Sequence, residues 1–343
     1  MSGLSAVIPT RDRRPVLEAC VEALLAAGAR EMLERIVVVD DGSTDDTPAL
    51  LGAWSRDPLF ETLRSPGAGP ATARNRGIAR VETPFVLLLG DDVLLEPDAL
   101  RRFRDHLRRH DLRNASVFGN VQPDPSAASP FDWWNQRGGS QFTHDRVRHP
   151  FDAGRDYFYT TNIVSPTALL RAEPFDESFP YARYEDRELG YRLARRHGHR
   201  IHYREDIRSR HRHRTGFLEW LDKLPRFAWS ALHFAGLYPE DTALRAELGI
   251  SRAEKLRHFD TGALLAAAEI LARHGPGYPA GDAVFGRVFA DEMVAASFRV
   301  LQCFFRTCEL RRHLGLPPLS DPVTGRDAEE LGQEIRSSLP GNL

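Results

Sequence analysis

Arg35-Ile36-Val37-Val38-Val39-Asp40-Asp41-Gly42-Ser43-Thr44-Asp45 is an apolar run stopped abruptly by polar, turn-forming residues. Ile36 to Val39 are all β-branched, and a run this short suits a strand covered on both faces, as in a parallel sheet. Ser43-Thr44-Asp45-Asp46 reads as a capping box with Asp in its fourth place, which predicts a helix running to about Trp54. Upstream, Ser5-Ala6-Val7-Ile8 is a second short apolar run, ended by Pro9. Between the two, Leu17, Cys20, Val21, Leu24 and Leu25 follow the spacing of one helical face, with Asp12 near its start and Gly28 past its end. Downstream, the loop Pro66-Gly67-Ala68-Gly69-Pro70 leads to a helix from about Ala71, then the run Phe85-Val86-Leu87-Leu88-Leu89, then Gly90-Asp91-Asp92. Strand and helix alternate, so the chain reads as an α/β fold with a mainly parallel sheet and flanking helices.

Further on, Pro97-Asp98 opens a helix carrying Leu100, Phe103 and Leu107, and Ser116 to Val121 alternates like a strand. Residues 122–155 are rich in Pro, Gly and Asp around Trp133-Trp134 and read as a long functional loop. Thr160 to Ser165 and Ile207 to His213 read as strands separated by a helix from about Glu185 to Arg196. From about Thr215 only helical patterns remain, and the tail after Leu319 is expected to be loosely ordered apart from a short helix. The expected divisions are 1–110, 111–214 and a helical C-terminal region, 215–343.

With 343 residues the chain can bury a substantial core, and a net charge of -2 gives no global field that would select nucleic acid. Of its 46 cationic residues only Lys223 and Lys255 are lysine, so clusters of arginine carry little meaning. Cys20, Cys303 and Cys308 form no metal-type spacing and suit a reducing compartment, so a cytoplasmic protein is expected. No secretory signal is expected, and the apolar stretches fall short of the roughly 20 residues that span a bilayer.

Asp40-Asp41, Asp91-Asp92 and Glu185-Asp186 all stand at strand ends or helix starts, where ligands of open α/β sheets settle. Any one pair could be a turn or a cap. In Val7-Ile8-Pro9-Thr10-Arg11-Asp12-Arg13, Val38-Val39-Asp40-Asp41-Gly42-Ser43-Thr44-Asp45, Ala73-Arg74-Asn75-Arg76-Gly77-Ile78, Leu88-Leu89-Gly90-Asp91-Asp92-Val93 and Tyr184-Glu185-Asp186-Arg187-Glu188-Leu189, the chain resembles the inverting glycosyltransferases of family 2. The resemblance covers about Ser5 to Arg214. It implies the GT-A fold, Rossmann-like, with a nucleotide-sugar-binding half and an acceptor-binding half.

It also implies transfer of a sugar from a nucleoside-diphosphate sugar, UDP favoured, to a saccharide, lipid-linked or other hydroxyl acceptor. Asp92 would hold a divalent metal, Mn²⁺ or Mg²⁺, and Asp91 would touch the donor's ribose; Gly90 stands where the family's Asp-x-Asp motif has its first acid. Asp40 or Asp41 would bond the nucleobase, with Pro9, Thr10 and Arg11 lining that pocket, and Arg74 would reach the diphosphate or be a solvated helix arginine. Asp186 would be the general base and Glu185 would help to position the acceptor. Family members place a metal-completing histidine near the end of the domain, which favours His211, with His213 next; a basic edge strand is the plainer reading of Arg208 to Arg214. Trp133, Trp134 and Asn162 are candidates for acceptor contact, with core packing and a strand-end amide as the alternatives.

Two other functions fit parts of the pattern: a catalytically inactive sugar-nucleotide-binding module, and a nucleotidyltransferase, whose glycine-rich triphosphate loop Pro9 to Arg13 lacks. No nucleic-acid partner is expected. The face Phe217, Trp220, Leu221 and Phe227 suits core packing first, and homodimer contact, an acceptor-site cover or peripheral contact with the inner face of a membrane second.

Overall fold

The structure is a computed structural model that describes residues 3–126, 129–136, 141–277 and 285–343, with the side chains of 285–291 left aside. It divides into two compact units, one made of Met1–Asp124 and Thr143–Arg212, the other of Pro125–Phe142 and His213–Leu343. Both expected halves of the 1–214 region therefore share one unit, and residues 125–142 belong with the C-terminal region.

The first unit is built on β1 (Leu4–Thr10), β2 (Ile36–Asp40), β3 (Phe60–Arg64), β4 (Phe85–Leu89), β5 (Val93–Leu95), β6 (Ala115–Pro123), β7 (Asn162–Pro166) and β8 (Arg200–His211). They form one sheet in the order β3-β2-β1-β4-β7-β6-β8-β5. β3, β2, β1 and β4 run parallel, β7 runs against both β4 and β6, β6 and β8 are parallel, and β5 runs against β8. The sheet is parallel in its first half and mixed beyond it. Helices α1 (Arg14–Ala26), α2 (Ala29–Met32), α3 (Thr47–Trp54), α4 (Pro70–Arg80) and α5 (Ala99–Arg109) come first; α6 (Pro130–Trp134) lies in the second unit, and α7 (Thr167–Ala172) and α8 (Glu185–His197) return to the first.

Side-chain alternation explains the unbroken apolar runs. Ala6, Ile8, Ile36 and Val38 pack into one core with Leu17, Cys20, Val21 and Leu24 of α1, while Val7, Val37 and Val39 pack into another with Ile78 of α4 and Leu189 of α8. The register then sets the site. Thr10 lies opposite Asp40, which lies opposite Arg64, and Val93 lies opposite His211.

Several elements differ from expectation. Helix α3 starts only at Thr47, without the capping box, because Ser43 Oγ accepts the Asp12 N–H at 2.9 Å and the Ser43 N–H donates to Asp40 Oδ1 at 2.7 Å. The stretch 122–155 is no single loop: it finishes β6, forms α6 and a 3₁₀ turn at His144–Arg146, and includes 127–128 and 137–140, which fall outside the described residues.

The second unit is helical, with α6, α9 (Phe217–Leu237), α10 (Thr242–Glu247), α11 (Ile250–Lys255), α12 (Thr261–His274), α13 (Phe285–His313) and α14 (Ala328–Ser338). Its core takes up Phe217, Trp220 and Leu221, with Phe227 packed against it, so this face is used for packing rather than left for a membrane or a second copy. The tail is not loose: Leu331, Ile335, Leu339 and Leu343 are all buried in the same core. Among the described residues no helix is long and apolar enough to cross a membrane.

Candidate active site

At the carboxyl ends of β1 and β2, Asp40 and Asp41 have different surroundings. Asp40 is spent on the fold, since its Oδ1 accepts the Ser43 N–H at 2.7 Å and its Oδ2 accepts Arg64 Nη1 at 3.2 Å. Arg64 also donates to the Ser43 carbonyl at 3.1 Å. Asp41 Oδ2 accepts the Gly69 N–H at 2.9 Å, but its Oδ1 is buried with no hydrogen-bond partner among the described residues. A buried carboxylate oxygen left unmatched costs about 1–3 kcal/mol, so Asp41 is the better placed of the two to take a ligand N–H. Pro9 is half-buried within β1, while Arg11 is exposed in the turn that follows. Asp12 holds this turn with a φ of 51°, its Oδ1 accepting the Thr44 N–H at 2.6 Å and the Asp45 N–H at 3.3 Å. Asp tolerates that left-handed conformation better than most residues.

Beyond the turn comes Arg13, which sequence alone did not single out. Its Nη1 donates to Asp91 Oδ1 at 2.7 Å and its Nη2 to Asp92 Oδ2 at 2.9 Å, so one guanidinium bridges both carboxylates. Thr10 Oγ1 donates to Asp91 Oδ2 at 2.8 Å. Burial pushes the Asp91 carboxyl up to about 6; Arg13 opposes the rise, and the charge of Asp92 adds to it. The β5–β8 pairing brings in His211, whose Nε2 lies 3.3 Å from Asp92 Oδ1.

An imidazole nitrogen and a carboxylate oxygen at that spacing suit adjacent positions around one Mn²⁺ or Mg²⁺ ion, with substrate oxygens completing the shell. Asp92 and His211 are thus two donors that such an ion could share; no group of three or more His, Cys, Asp and Glu suited to an ion occurs among the described residues. A Cβ on Gly90 would lie 3.1 Å from Asp92 Oδ1 and 3.2 Å from Val93 Cγ2, so the missing first acid leaves a position with little room for a side chain.

Glu185 and Asp186 occupy the first turn of α8. Glu185 is buried, its Oε1 accepting Arg74 Nη1 at 2.8 Å, while its Oε2 has no partner among the described residues. Burial, then the charge of Asp186, pushes the Glu185 carboxyl up to about 7 against the pull of Arg74. Asp186 is half-buried, and its Oδ1 accepts the Arg187 N–H at 2.8 Å. Arg74 is thus no solvated helix arginine: it is buried and paired with Glu185.

Asn162 and Trp134 have partners within the fold. Asn162 is fully buried; its Oδ1 accepts the Gly119 N–H at 3.1 Å and its Nδ2 donates to Ser209 Oγ at 2.9 Å, closing the sheet where the β6–β8 register shifts at Gly119/Asn120. Trp134 is buried in the helical unit and stacks on Phe298 at 5.3 Å, and Trp133 beside it is half-buried. Strand alternation does not reach His213. β8 ends at His211, where the Arg212 N–H donates to the Asp92 carbonyl at 2.7 Å, and His213 belongs to the second unit, its Nε2 2.5 Å from Thr215 Oγ1.

The pattern described as "Glycosyl transferase family 2" matches residues 5–179. A pre-mycofactocin glycosyltransferase of Mycobacterium tuberculosis is 27% identical over 253 residues, 70% of this chain and 49% of that protein. A validoxylamine A glucosyltransferase of Streptomyces hygroscopicus subsp. limoneus is 28% identical over 229 residues, 58% of this chain and 48% of that protein. The chain spans about half the length of these curated relatives. Among solved structures, the mannosyltransferase PcManGT from Pyrobaculum calidifontis, in complex with GDP-Man and Mn²⁺, superposes with a TM-score of 0.54 at 17% identity, covering 87% of this chain and 86% of that one.

Proposed function

The chain belongs to glycosyl transferase family 2, and from that premise we propose that it transfers a sugar from a nucleoside-diphosphate donor to an acceptor hydroxyl with inversion. The observation that carries this reading is the meeting of Thr10, Arg13, Asp91, Asp92 and His211 at the strand ends, with distances from 2.7 to 3.3 Å. A leaving diphosphate needs its charge matched as the glycosidic bond breaks. A divalent ion bound by Asp92 and His211 would supply that charge match. The ribose is assigned to Asp91 by family resemblance, its two oxygens here accepting from Thr10 and Arg13, and Asp41 has an unmatched oxygen that a base N–H such as uracil N3–H or guanine N1–H could fill.

On the acceptor side Asp186 takes the hydroxyl proton while the acceptor oxygen bonds to the anomeric carbon. The bond from that carbon to the diphosphate oxygen breaks, and the nucleoside diphosphate leaves with the electron pair. One base on the face opposite the leaving group inverts the anomeric centre. Of the two neighbouring carboxylates, the half-buried Asp186 suits this role better than the buried Glu185. PcManGT, with its GDP-Man and Mn²⁺, supports a nucleotide-sugar donor and a metal here by analogy.

The test is slow hydrolysis of UDP-, GDP- and dTDP-sugars by the purified chain with Mn²⁺ and with chelator. One donor should be cleaved, and only with metal. Binding of a nucleotide sugar without turnover under any condition would favour an inactive binding module, and no binding at all would sink the proposal.

A further inference from the structure

Helix α4 ties the base pocket to the start of α8. At its foot the Gly69 N–H donates to Asp41 Oδ2 at 2.9 Å. One turn on, Thr72 Oγ1 and Asn75 Nδ2 donate to the two oxygens of Glu177 at 2.9 and 2.8 Å, and Asn75 also exchanges bonds with the Phe175 backbone, both 2.9 Å. Between them Arg74 reaches Glu185 at 2.8 Å, with both side chains largely out of water.

The segment gripped in this way is strained. Tyr184, the residue before Glu185, has a φ of 73°, and no side chain caps α8. A bulky residue in the left-handed region persists only where its surroundings over-determine it. The Arg183 and Arg187 guanidinium groups lie 5.4 and 5.8 Å from the Tyr184 ring, and the buried Arg74–Glu185 pair holds the next residue. That pair meets at one point: Arg74 Nε and Glu185 Oε2 are both buried without hydrogen-bond partners among the described residues. A guanidinium and a carboxylate left to themselves prefer a two-point fork. The contact is therefore set by the placement of the two helices, and Glu185 is the one carboxylate that Arg74 reaches among the described residues.

We propose that Arg74 is a positioning residue for Asp186, acting through Glu185 to pin the first turn of α8, and that it does not hold the donor's diphosphate. The proposal rests on the reading of Asp186 as general base. The charges that act most strongly on Glu185 are Asp186 on its own helix and Arg74 on α4. Removing Arg74 removes the one that favours ionisation.

The full chain carrying Arg74→Met or Arg74→Lys tests this. Affinity for UDP or GDP, whichever the wild type binds, is measured beside that for the matching nucleoside, by calorimetry with Mn²⁺. In Arg74→Met diphosphate affinity should hold while turnover falls about 10²-fold. The Glu185 midpoint should move up by about 1–3 pH units, as expected when a carboxylate loses an adjacent cation. Arg74→Lys should restore much of both. Carboxyl ¹³C NMR, with the Glu185 resonance assigned through Glu185→Gln, should show this rise without any turnover. A loss of diphosphate affinity that the nucleoside does not share would make Arg74 a diphosphate ligand and overturn the proposal, as would an unmoved Glu185 midpoint. Should Arg74→Met not fold, Arg74→Gln gives the same readouts. An active Asp186→Asn would refute the base reading alone, since the Glu185 midpoint and the diphosphate affinity report on Arg74 independently.

Discussion

Arg13 lies between two carboxylates, one of which would also bind a metal, and it shows how far single residues could be read. The acids at positions 40, 41, 91, 92, 185 and 186 stood out because three acidic pairs fall at strand ends or helix starts of one α/β sheet, where any single pair could have been a turn or a cap. Their partners Arg13 and Arg64 did not stand out, and Arg74 did so only as a diphosphate contact or a solvated arginine, because arginine is everywhere in this chain and its value depends on contacts that no spacing reveals. Without Arg13 the Asp91–Asp92 pair loses its internal cation, so Arg13→Met should bind Mn²⁺ more tightly than wild type in the absence of nucleotide. Asp92→Asn should bind it more weakly. Electron paramagnetic resonance titration of free Mn²⁺ measures both, and weaker binding by Arg13→Met would mean that the guanidinium organises the site instead of filling it. Asp186→Asn should lower turnover about 10²- to 10⁴-fold with donor affinity unchanged, because an amide cannot accept the acceptor's proton. At the second position of α8 the same change should cost only about 0.3–1 kcal/mol through the helix dipole. Turnover at saturating donor, set beside the melting temperature, separates the two effects.

Elements were legible where one pattern controlled them. β1, β2 and β4 are covered on both faces and read as apolar runs, and α1 and α8 carry clear helical stripes. β3 went unseen because it is an edge strand with only Phe60 fully buried, and β5 because three residues make no pattern. The early part of β8 was hidden by Arg200, Arg204, Glu205 and Asp206 among its apolar residues. The role of Asn162 could not be read because it answers a register shift in strands distant in sequence. A Cβ on Gly119 would lie 2.4 Å from the Ile207 carbonyl, so the chains approach too closely for a side chain there, and the Gly119 N–H turns to Asn162. Asn162→Ala would leave that N–H and Ser209 Oγ short of a partner, at a cost of about 1–3 kcal/mol. Urea unfolding should show the loss while the acceptor KM stays put. A changed KM with undiminished stability would return Asn162 to the acceptor site.

For the molecule as a whole, the first unit should be the acid-sensitive one. His106, His144, His199 and His202 all belong to it, and burial holds the first at about 3 and the other three at about 4. Two of them form a directed chain. Arg204 can only donate, so its Nη1 contact at 3.1 Å makes His106 Nδ1 an acceptor; His106 then carries its proton on Nε2 and donates to His202 Nδ1 at 2.9 Å. A proton added to His106 must break this chain. Each histidine has its folded value below the ordinary 6.5, so its contribution to stability is complete above that value and is lost as pH falls toward about 4. Asp91 and Glu185, raised to about 6 and 7, act in the opposite sense, because the native state holds their protons more tightly and gains stability as pH falls. Four depressed histidines outweigh two raised carboxylates, and the net slope in this unit should be a loss between pH 6.5 and 4. Hydrogen exchange read separately for the two units at neutral pH and at mildly acidic pH measures it. Protection should drop in β6, α5 and β8 well before it drops in α9 and α12; a gain in the first unit would show that the carboxylates dominate, and equal loss in both would show that these histidines do not set the acid sensitivity.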